Sequence, residues 1–170
     1  QRMNGIVENI LGLARRERSQ PESIELTAFT RRFVEEYRQN HPLETDVMQA
    51  VNEARLQVAM ADPQQLHQVL TALVHNALNY GREPGKPAQV TVSVRQDKNS
   101  SAPLIEVIDR GPGIPARVAE QLFTPFYTTS EHGTGLGLYI AKQLCEANQC
   151  TLQFEPVPGG GSCFRITMQS

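Results

Sequence analysis

The sequence predicts an α/β domain, a two-layer sandwich in which a mixed sheet is covered on one face by helices. Val90, Val92 and Val94 alternate with polar residues in the manner of a strand with one buried face. Apolar residues three and four apart indicate a helix with one buried stripe, at Leu66, Val69, Leu70, Leu73, Val74 and Ala77. With 170 residues, of which 39% are hydrophobic and 20% charged, the chain is long enough for one domain with its own core.

Residues 1–18 predict an amphipathic helix that precedes this domain. Its apolar stripe consists of Met3, Ile6, Val7, Ile10, Leu11 and Ala14. The helix is either the second half of a helical hairpin whose first half is missing or an ordinary N-terminal helix packed on its own domain. Because Ser19-Gln20-Pro21 breaks the pattern, we divide the chain into residues 1–18 and 19–170.

The first half of the domain predicts a strand at residues 24–26 and a helix capped by Thr27. That helix presents one aromatic face, formed by Phe29, Phe33 and Tyr37. After a stretch around residues 45–51, a further strand is expected at residues 56–60. A longer helix should then begin at Asp62-Pro63, an N-cap followed by proline, and end near Tyr80-Gly81.

The second half predicts a hairpin, a helix and two closing strands. The strand that contains Val92 should pair with residues 104–108 across a polar turn. A helix is expected over residues 136–147, followed by strands at 151–154 and 163–168. The proline- and glycine-rich residues 156–161 would join those two strands.

Charge, cysteine content and hydropathy exclude several classes of protein. The net charge is −2 and the 16 lysines and arginines are scattered, so we expect no direct nucleic-acid ligand. The three cysteines, Cys145, Cys150 and Cys163, do not have the spacing of a metal site. We therefore expect reduced thiols that serve in packing, as in a cytosolic protein. No apolar run approaches the roughly 18–20 residues that cross a bilayer, and the N-terminus has no signal-peptide pattern.

Two glycine motifs are candidates for ligand binding. Asp109-Arg110-Gly111-Pro112-Gly113 ends an apolar strand with a carboxylate that could accept a hydrogen bond from an exocyclic amine, although such a segment is also an ordinary turn. The glycine run of residues 133–138 opens a helix, where free N–H groups favour an anion. It matches neither the P-loop nor the dinucleotide-binding fingerprint.

Asn76 lies among apolar neighbours on the helix that begins at Pro63. Its amide oxygen suits Mg²⁺, although a hydrogen-bonded core asparagine is the alternative. Asn79, Tyr80 and Arg82 follow, where a tyrosine ring could flank a base and an arginine could contact phosphate.

The order of five motifs resembles the catalytic domain of sensor histidine kinases, a Bergerat-type or GHKL ATP-binding fold. The motifs are residues 66–77, 109–113, 122–129, 133–138 and 159–164, which correspond in order to the N, G1, F, G2 and G3 boxes. The resemblance runs from about Asp62 to the C-terminus, and it is closest to the nitrogen-sensor group.

The resemblance implies ATP and Mg²⁺ as cofactors and assigns roles to particular residues. Asn76 would bind the metal and Asp109 the adenine amino group, while the mobile lid of about residues 115–134 would be anchored by Phe123 and Phe126. The Ser162 hydroxyl would support the adenine site. The full set of candidate nucleotide-binding residues is Asn76, Asn79, Tyr80, Arg82, Asp109, Gly111, Gly113, Thr129, Gly133, Thr134, Gly135, Leu136, Gly137, Leu138 and Ser162.

Three departures from the family pattern bear on the reaction. Asn79 and Ser130 stand where basic residues are common, which leaves Arg82 as a candidate phosphate contact. Ala72 stands where ATP-hydrolysing relatives such as gyrase and the Hsp90 chaperones have a glutamate that activates water. Without that base, transfer to a histidine is favoured over hydrolysis. An ATPase of the same fold and a degenerate binding module are the alternatives.

The phosphoacceptor histidine is expected on a separate part of the parent protein. None of the four histidines, His41, His67, His75 and His132, stands in an H-E-x-x-[NT]-P setting. Residues 1–18 resemble the end of the second dimerisation helix, so we expect no catalytic residue and no autophosphorylation in this chain alone. The implied partners are the parent's own dimerisation domain and a response regulator of the enhancer-binding, NtrC-like type. The implied location is the cytoplasmic side of a parent anchored in the bacterial inner membrane.

Overall fold

The computed structural model describes residues 19–41, 43, 46–52, 56–127 and 136–169. The expected N-terminal helix, residues 1–18, lies outside the described residues. The elements occur in the order β1 (Glu22–Glu25), α1 (Leu26–Asn40), β2 (Val47–Asn52), β3 (Val58–Ala61), α2 (Pro63–Tyr80), β4 (Gln89–Gln96), β5 (Pro103–Asp109), α3 (Ala116–Ala119), α4 (Gly137–Ala147), β6 (Thr151–Pro156) and β7 (Ser162–Thr167).

The main sheet has five strands in the order β2-β4-β5-β7-β6. Strand β2 runs parallel to β4, and every other pair is antiparallel, so the sheet is mixed as predicted. The predicted β4–β5 hairpin is confirmed, with Val92 opposite Val107. Strands β1 and β3 form a separate two-stranded antiparallel sheet.

The core lies between one face of the main sheet and the helices. Leu70 of α2 and Leu144 of α4 are fully buried with residues of the sheet such as Val92, Ile105 and Phe164. The stripe predicted for α2 is buried along its length. The expected two-layer α/β sandwich is therefore confirmed.

Helix termini follow the sequence at α2 but not at α1. The Asp62 carboxylate accepts hydrogen bonds from the backbone N–H groups of Gln64 and Gln65, and Gly81 ends the helix, as predicted. Helix α1 is capped by Glu25, whose side chain accepts from Ala28 N, so the expectation that Thr27 caps it was wrong. The helix begins two residues earlier than the sequence predicted, because strand β1 already ends at Glu25.

An ion-pair network lies on the side of the sheet opposite the core, since side chains alternate along a strand. Glu106 of β5 accepts hydrogen bonds from Arg95 of β4 (2.7 Å) and Arg165 of β7 (2.8 Å). Burial by itself would raise the pKa of Glu106, but the two guanidinium groups lower it overall. The network joins three neighbouring strands.

Cys145, Cys150 and Cys163 are buried and form no disulfide, which agrees with the predicted role in packing. Burial raises the pKa of each thiol, that of Cys163 to about 12. Thiols in this state are weak nucleophiles at neutral pH. Separately, no helix in the described part of the chain is both long and apolar enough to cross a membrane.

Candidate nucleotide-binding site

Asp109 lies at the C-terminal end of β5, in the middle of the main sheet, and is only 3% exposed. Its Oδ1 accepts hydrogen bonds from the backbone N–H groups of Gly111 (3.0 Å) and Ser162 (3.1 Å). No hydrogen bond to Oδ2 comes from the described residues. Burial raises the Asp109 pKa despite those two hydrogen bonds. The carboxylate is thus fixed through one oxygen and offers the other as an acceptor.

Three glycines enclose this carboxylate because nothing larger fits. A Cβ on Gly81 would overlap the Asp109 carboxyl group, and one on Gly161 would overlap the Asp109 carbonyl oxygen. A Cβ on Gly111 would overlap the backbone of Gly81 and Arg82. Gly161 also has a φ of +110°, a conformation that disfavours residues with a Cβ. The backbones of three separate chain segments, residues 81–82, 109–111 and 161–162, therefore meet at Asp109.

The sequence did not reveal Gly81 and Gly161 as site residues. Gly81 was explained by the end of helix α2. Gly161 lies in the motif of residues 159–164, which corresponds to the G3 box, but that motif assigned it no contact. The strand register brings β7 beside β5 and so places the end of that run against Asp109. No local signal in residues 156–161 specifies that contact.

Ser162 and Gly113, two of the predicted site residues, lie at the same end of the sheet as Asp109. Ser162 is 2% exposed and contacts Asp109 through its backbone N–H, so the support that the structure gives comes from the main chain. Gly113 has a φ of +85°, and a Cβ there would point toward the Gly161 carbonyl oxygen. Both residues therefore border the site on the side of Gly161.

Helix α2 forms one wall of the site, since its last residue, Tyr80, directly precedes Gly81. Tyr80 is 52% exposed, and Asn76 lies one turn before it and is half-buried. The Asn79 side chain donates from Nδ2 to the His75 carbonyl oxygen (2.7 Å), which occupies one of its donors within the helix. The helix thus carries an exposed aromatic residue at its end and a half-buried amide one turn earlier.

Asn76 fits a role as a magnesium ligand through its donor type. No hydrogen bond to its side chain comes from the described residues, and an amide oxygen is a donor that Mg²⁺ accepts. The described residues contain no group of three or more His, Cys, Asp or Glu side chains that could hold a metal by themselves. Phosphate and water oxygens would have to complete the coordination, which is usual for Mg²⁺ bound with a nucleotide.

Arg82 is paired with Asp46, a contact that the sequence did not indicate. The guanidinium donates to both carboxylate oxygens (3.1 and 2.7 Å), and Nε donates to the Leu78 carbonyl oxygen (2.9 Å). Burial would raise the Asp46 pKa, but hydrogen bonds from Ala88 N and Arg82 lower it overall. A phosphate contact by Arg82 would require this bidentate pair to open.

The predicted lid is described as far as Tyr127 and contains the short helix α3. The Phe123 ring packs edge-on against Phe164 at 6.2 Å, and Lys142 Nζ lies 4.9 Å from its centroid, which confirms Phe123 as an anchor. Phe126 is 64% exposed with a φ of +67°, so the expectation that it anchors the lid was wrong. The chain turns at Phe126 through a left-handed conformation that directs the ring to solvent.

The glycine-rich segment after the lid is only partly described. Thr129, Gly133, Thr134 and Gly135 lie outside the described residues. Leu136 is 3% exposed and Leu138 packs against the core, so neither side chain lies in the site. A Cβ on Gly137, the first residue of α4, would meet nothing within 4 Å. Any phosphate contact at this helix start would come from backbone N–H groups.

Comparison with known proteins identifies the family. The family described as histidine kinase-, DNA gyrase B- and HSP90-like ATPase matches residues 61–170. The chain belongs to this family. It is also 42% identical over 167 residues to the sensor protein kinase PilS of Pseudomonas aeruginosa, covering 98% of this chain and 31% of PilS. This chain therefore spans about a third of that relative.

Solved histidine kinases share the fold of this chain. The Acinetobacter baumannii histidine kinase AdeS superposes with a TM-score of 0.73 at 23% identity, over 98% of this chain and 77% of AdeS. Histidine kinase ThkA, solved in complex with the response regulator TrrA, gives 0.78 at 22% identity, over 98% of this chain and 47% of ThkA. These likenesses show the fold, and use of ATP is a property of the family whose model matches residues 61–170.

Proposed function

We propose that this chain binds Mg·ATP and presents its γ-phosphoryl group to a histidine on the parent's dimerisation helices, for onward transfer to a response regulator. The observation that carries the proposal is Asp109, a buried carboxylate with Oδ1 held by two backbone N–H groups and Oδ2 left open. Such an acceptor suits the exocyclic amine of adenine. An acceptor that has no hydrogen-bond partner among the described residues is available to a ligand that donates to it.

The proposed roles of the remaining residues follow from their positions around Asp109. The Tyr80 ring would flank the base, which Gly81 and Gly111 allow to approach the backbone. Asn76 would supply one oxygen to Mg²⁺, which neutralises phosphate charge when bound. Gly137 and the residues before it, Gly133, Thr134 and Gly135, would contact phosphate through N–H groups, with Thr129 nearby in the lid.

Transfer is proposed in preference to hydrolysis because of Ala72. Ala72 lies on α2 one turn before Asn76 and carries no group that could remove a proton from water. Positioning and charge neutralisation would then supply most of the rate enhancement of phosphoryl transfer. Measurable steady release of phosphate from this chain alone would favour the ATPase alternative.

The partners and the parent are part of the same proposal. PilS is a sensor protein kinase and ThkA is a histidine kinase by name, and ThkA was solved with a response regulator. By analogy, residues 1–18 would end the second dimerisation helix and the regulator would be NtrC-like. The parent would be anchored in the inner membrane, with this domain on the cytoplasmic side.

The first test is calorimetric titration of a non-hydrolysable ATP analogue with and without Mg²⁺. Asp109→Asn should reduce affinity by about 10- to 100-fold, because its Oδ1 keeps both backbone hydrogen bonds while an NH₂ replaces the open acceptor. Asn76→Ala should remove the magnesium dependence. Absence of binding by the unmodified chain would instead support a degenerate module, whereas phosphohistidine on an added dimerisation domain would establish the kinase.

A further inference from the structure

A groove of about 480 Å³ lies between α2 and α4, beside the proposed phosphate end of the site. Helix α2 contributes His67, Thr71, Ala72 and His75, and α4 contributes Gly137 and Ile140. The groove is thus bordered by His75, which precedes Asn76, and by Gly137, the first residue of α4. It is open to solvent.

If ATP binds as proposed, with Asn76 at the metal and the start of α4 at the phosphates, the γ-phosphoryl group would face this groove. Ala72 lines the groove, one helical turn before Asn76. Residues 72 and 75 are three apart and share one face of α2. His75 therefore lies on the face of the helix where phosphoryl transfer would occur.

Three polar side chains in the described part of the chain that could stabilise phosphate are engaged in other contacts. Asn79 donates to the His75 carbonyl oxygen, and Arg82 is paired with Asp46. Lys142 lies over the Phe123 ring. By contrast, the exposed His75 ring has no hydrogen-bond partner in the part of the chain that the structure describes. It is the ring nitrogen donor nearest to Asn76 in the groove.

We propose that His75 is a catalytic residue, whose ring N–H donates a hydrogen bond to a non-bridging oxygen of the γ-phosphoryl group during transfer. This inference rests on the proposed kinase function. The acceptor imidazole attacks phosphorus with its lone pair, the bond to the β,γ-bridging oxygen breaks, and ADP leaves with that electron pair. The proton on the other acceptor nitrogen passes to solvent. A neutral His75 suffices as donor, and the donation strengthens as charge develops on the phosphoryl oxygens.

The test measures phosphoryl transfer from ATP, catalysed by the 170-residue chain, to a separate dimerisation domain that carries the acceptor histidine. His75→Ala should lower kcat by roughly 10²-fold and change KM for ATP by less than about threefold, because the contact acts in the transition state. His75→Gln, which keeps an N–H donor, should restore a large part of kcat. Circular dichroism should be unchanged, since residue 75 is exposed and alanine favours helix.

His67→Ala is the matched control. His67 is an exposed histidine eight residues earlier on α2, about 12 Å along the helix, and lies 3.9 Å from Glu36. Its removal should leave kcat unchanged. Equal kcat for His75→Ala and the unmodified chain would overturn the inference alone, as would a change confined to KM. Absence of transfer by the unmodified chain would overturn the proposed function, and this inference with it.

Discussion

The proposed adenine end and the proposed phosphate end of the site differ in how completely the protein builds them without a ligand. At the proposed adenine end, Asp109 is buried, two backbone N–H groups hold one of its oxygens, and Gly81 and Gly161 lie too close to it to carry a Cβ. At the phosphate end, the groove between α2 and α4 is open, and Asn79 and Arg82 bond within the protein. In the proposed function, base recognition would therefore be preorganised, whereas the phosphate contacts would be assembled around the ligand.

The difference has a physical origin in the two kinds of group. A carboxylate in a protein core needs fixed partners, since an unpaired buried charge is costly. Exposed amide, imidazole and guanidinium groups can stay hydrated or pair with neighbours until phosphate is present. The tight end should consequently respond strongly to small steric changes, and the open end weakly.

The largest expected effect is the loss of stability in Gly81→Ala, with Gly137→Ala at the other end of the site as its comparison. Gly81→Ala should place its Cβ in the Asp109 carboxyl group, destabilise the fold by about 1–3 kcal/mol and abolish measurable nucleotide binding. Gly137→Ala meets no atom within 4 Å and should leave stability unchanged or raise it by up to about 1 kcal/mol. Urea unfolding and calorimetry measure both. Similar stability losses for the two variants would contradict the contrast.

An effect of intermediate size is expected on the pKa of Asp109 when adenosine is added. Its pKa is raised by burial, so folding favours the protonated form, and the stability associated with this group is lost as pH rises through its folded pKa. Carbon-13 NMR of the carboxyl group should give a midpoint above that of an exposed aspartate. Adenosine should lower this midpoint, because an amine that donates to Oδ2 favours the ionised form.

Glu106 serves as the internal control for that titration. Its pKa is lowered overall by Arg95 and Arg165, so its stabilising contribution is present at neutral pH and is lost as pH falls through its folded pKa. Adenosine should not move its midpoint, since Glu106 lies on the other side of the sheet. An Asp109 midpoint that does not respond to adenosine would argue against its role in base recognition.

The smallest effect is expected from the Arg82–Asp46 pair. Arg82→Ala should cost about 1 kcal/mol of stability and change nucleotide affinity by less than about threefold, because the guanidinium stays with Asp46. Asp46→Asn is the matched variant. A tenfold loss of affinity in the first variant, together with a gain in the second, would show that Arg82 leaves Asp46 to contact phosphate.

The sequence by itself determined the elements whose causes are local. Asp62-Pro63 specifies the start of α2, Gly81 specifies its end, and the valines of β4 specify a strand with one buried face. It also placed Asp109 at a strand end before two glycines. These features depend on a few neighbouring residues, so pattern and capping chemistry suffice to predict them.

Only the tertiary structure decided which distant segments meet. The enclosure of Asp109 by Gly161, the pairing of Arg82 with Asp46 and the exposure of Phe126 follow from strand register and chain path. The pairing of Glu106 with Arg95 and Arg165 has the same origin. Such contacts join residues far apart in the chain, and their energies depend on burial and geometry that exist only after the sheet has formed.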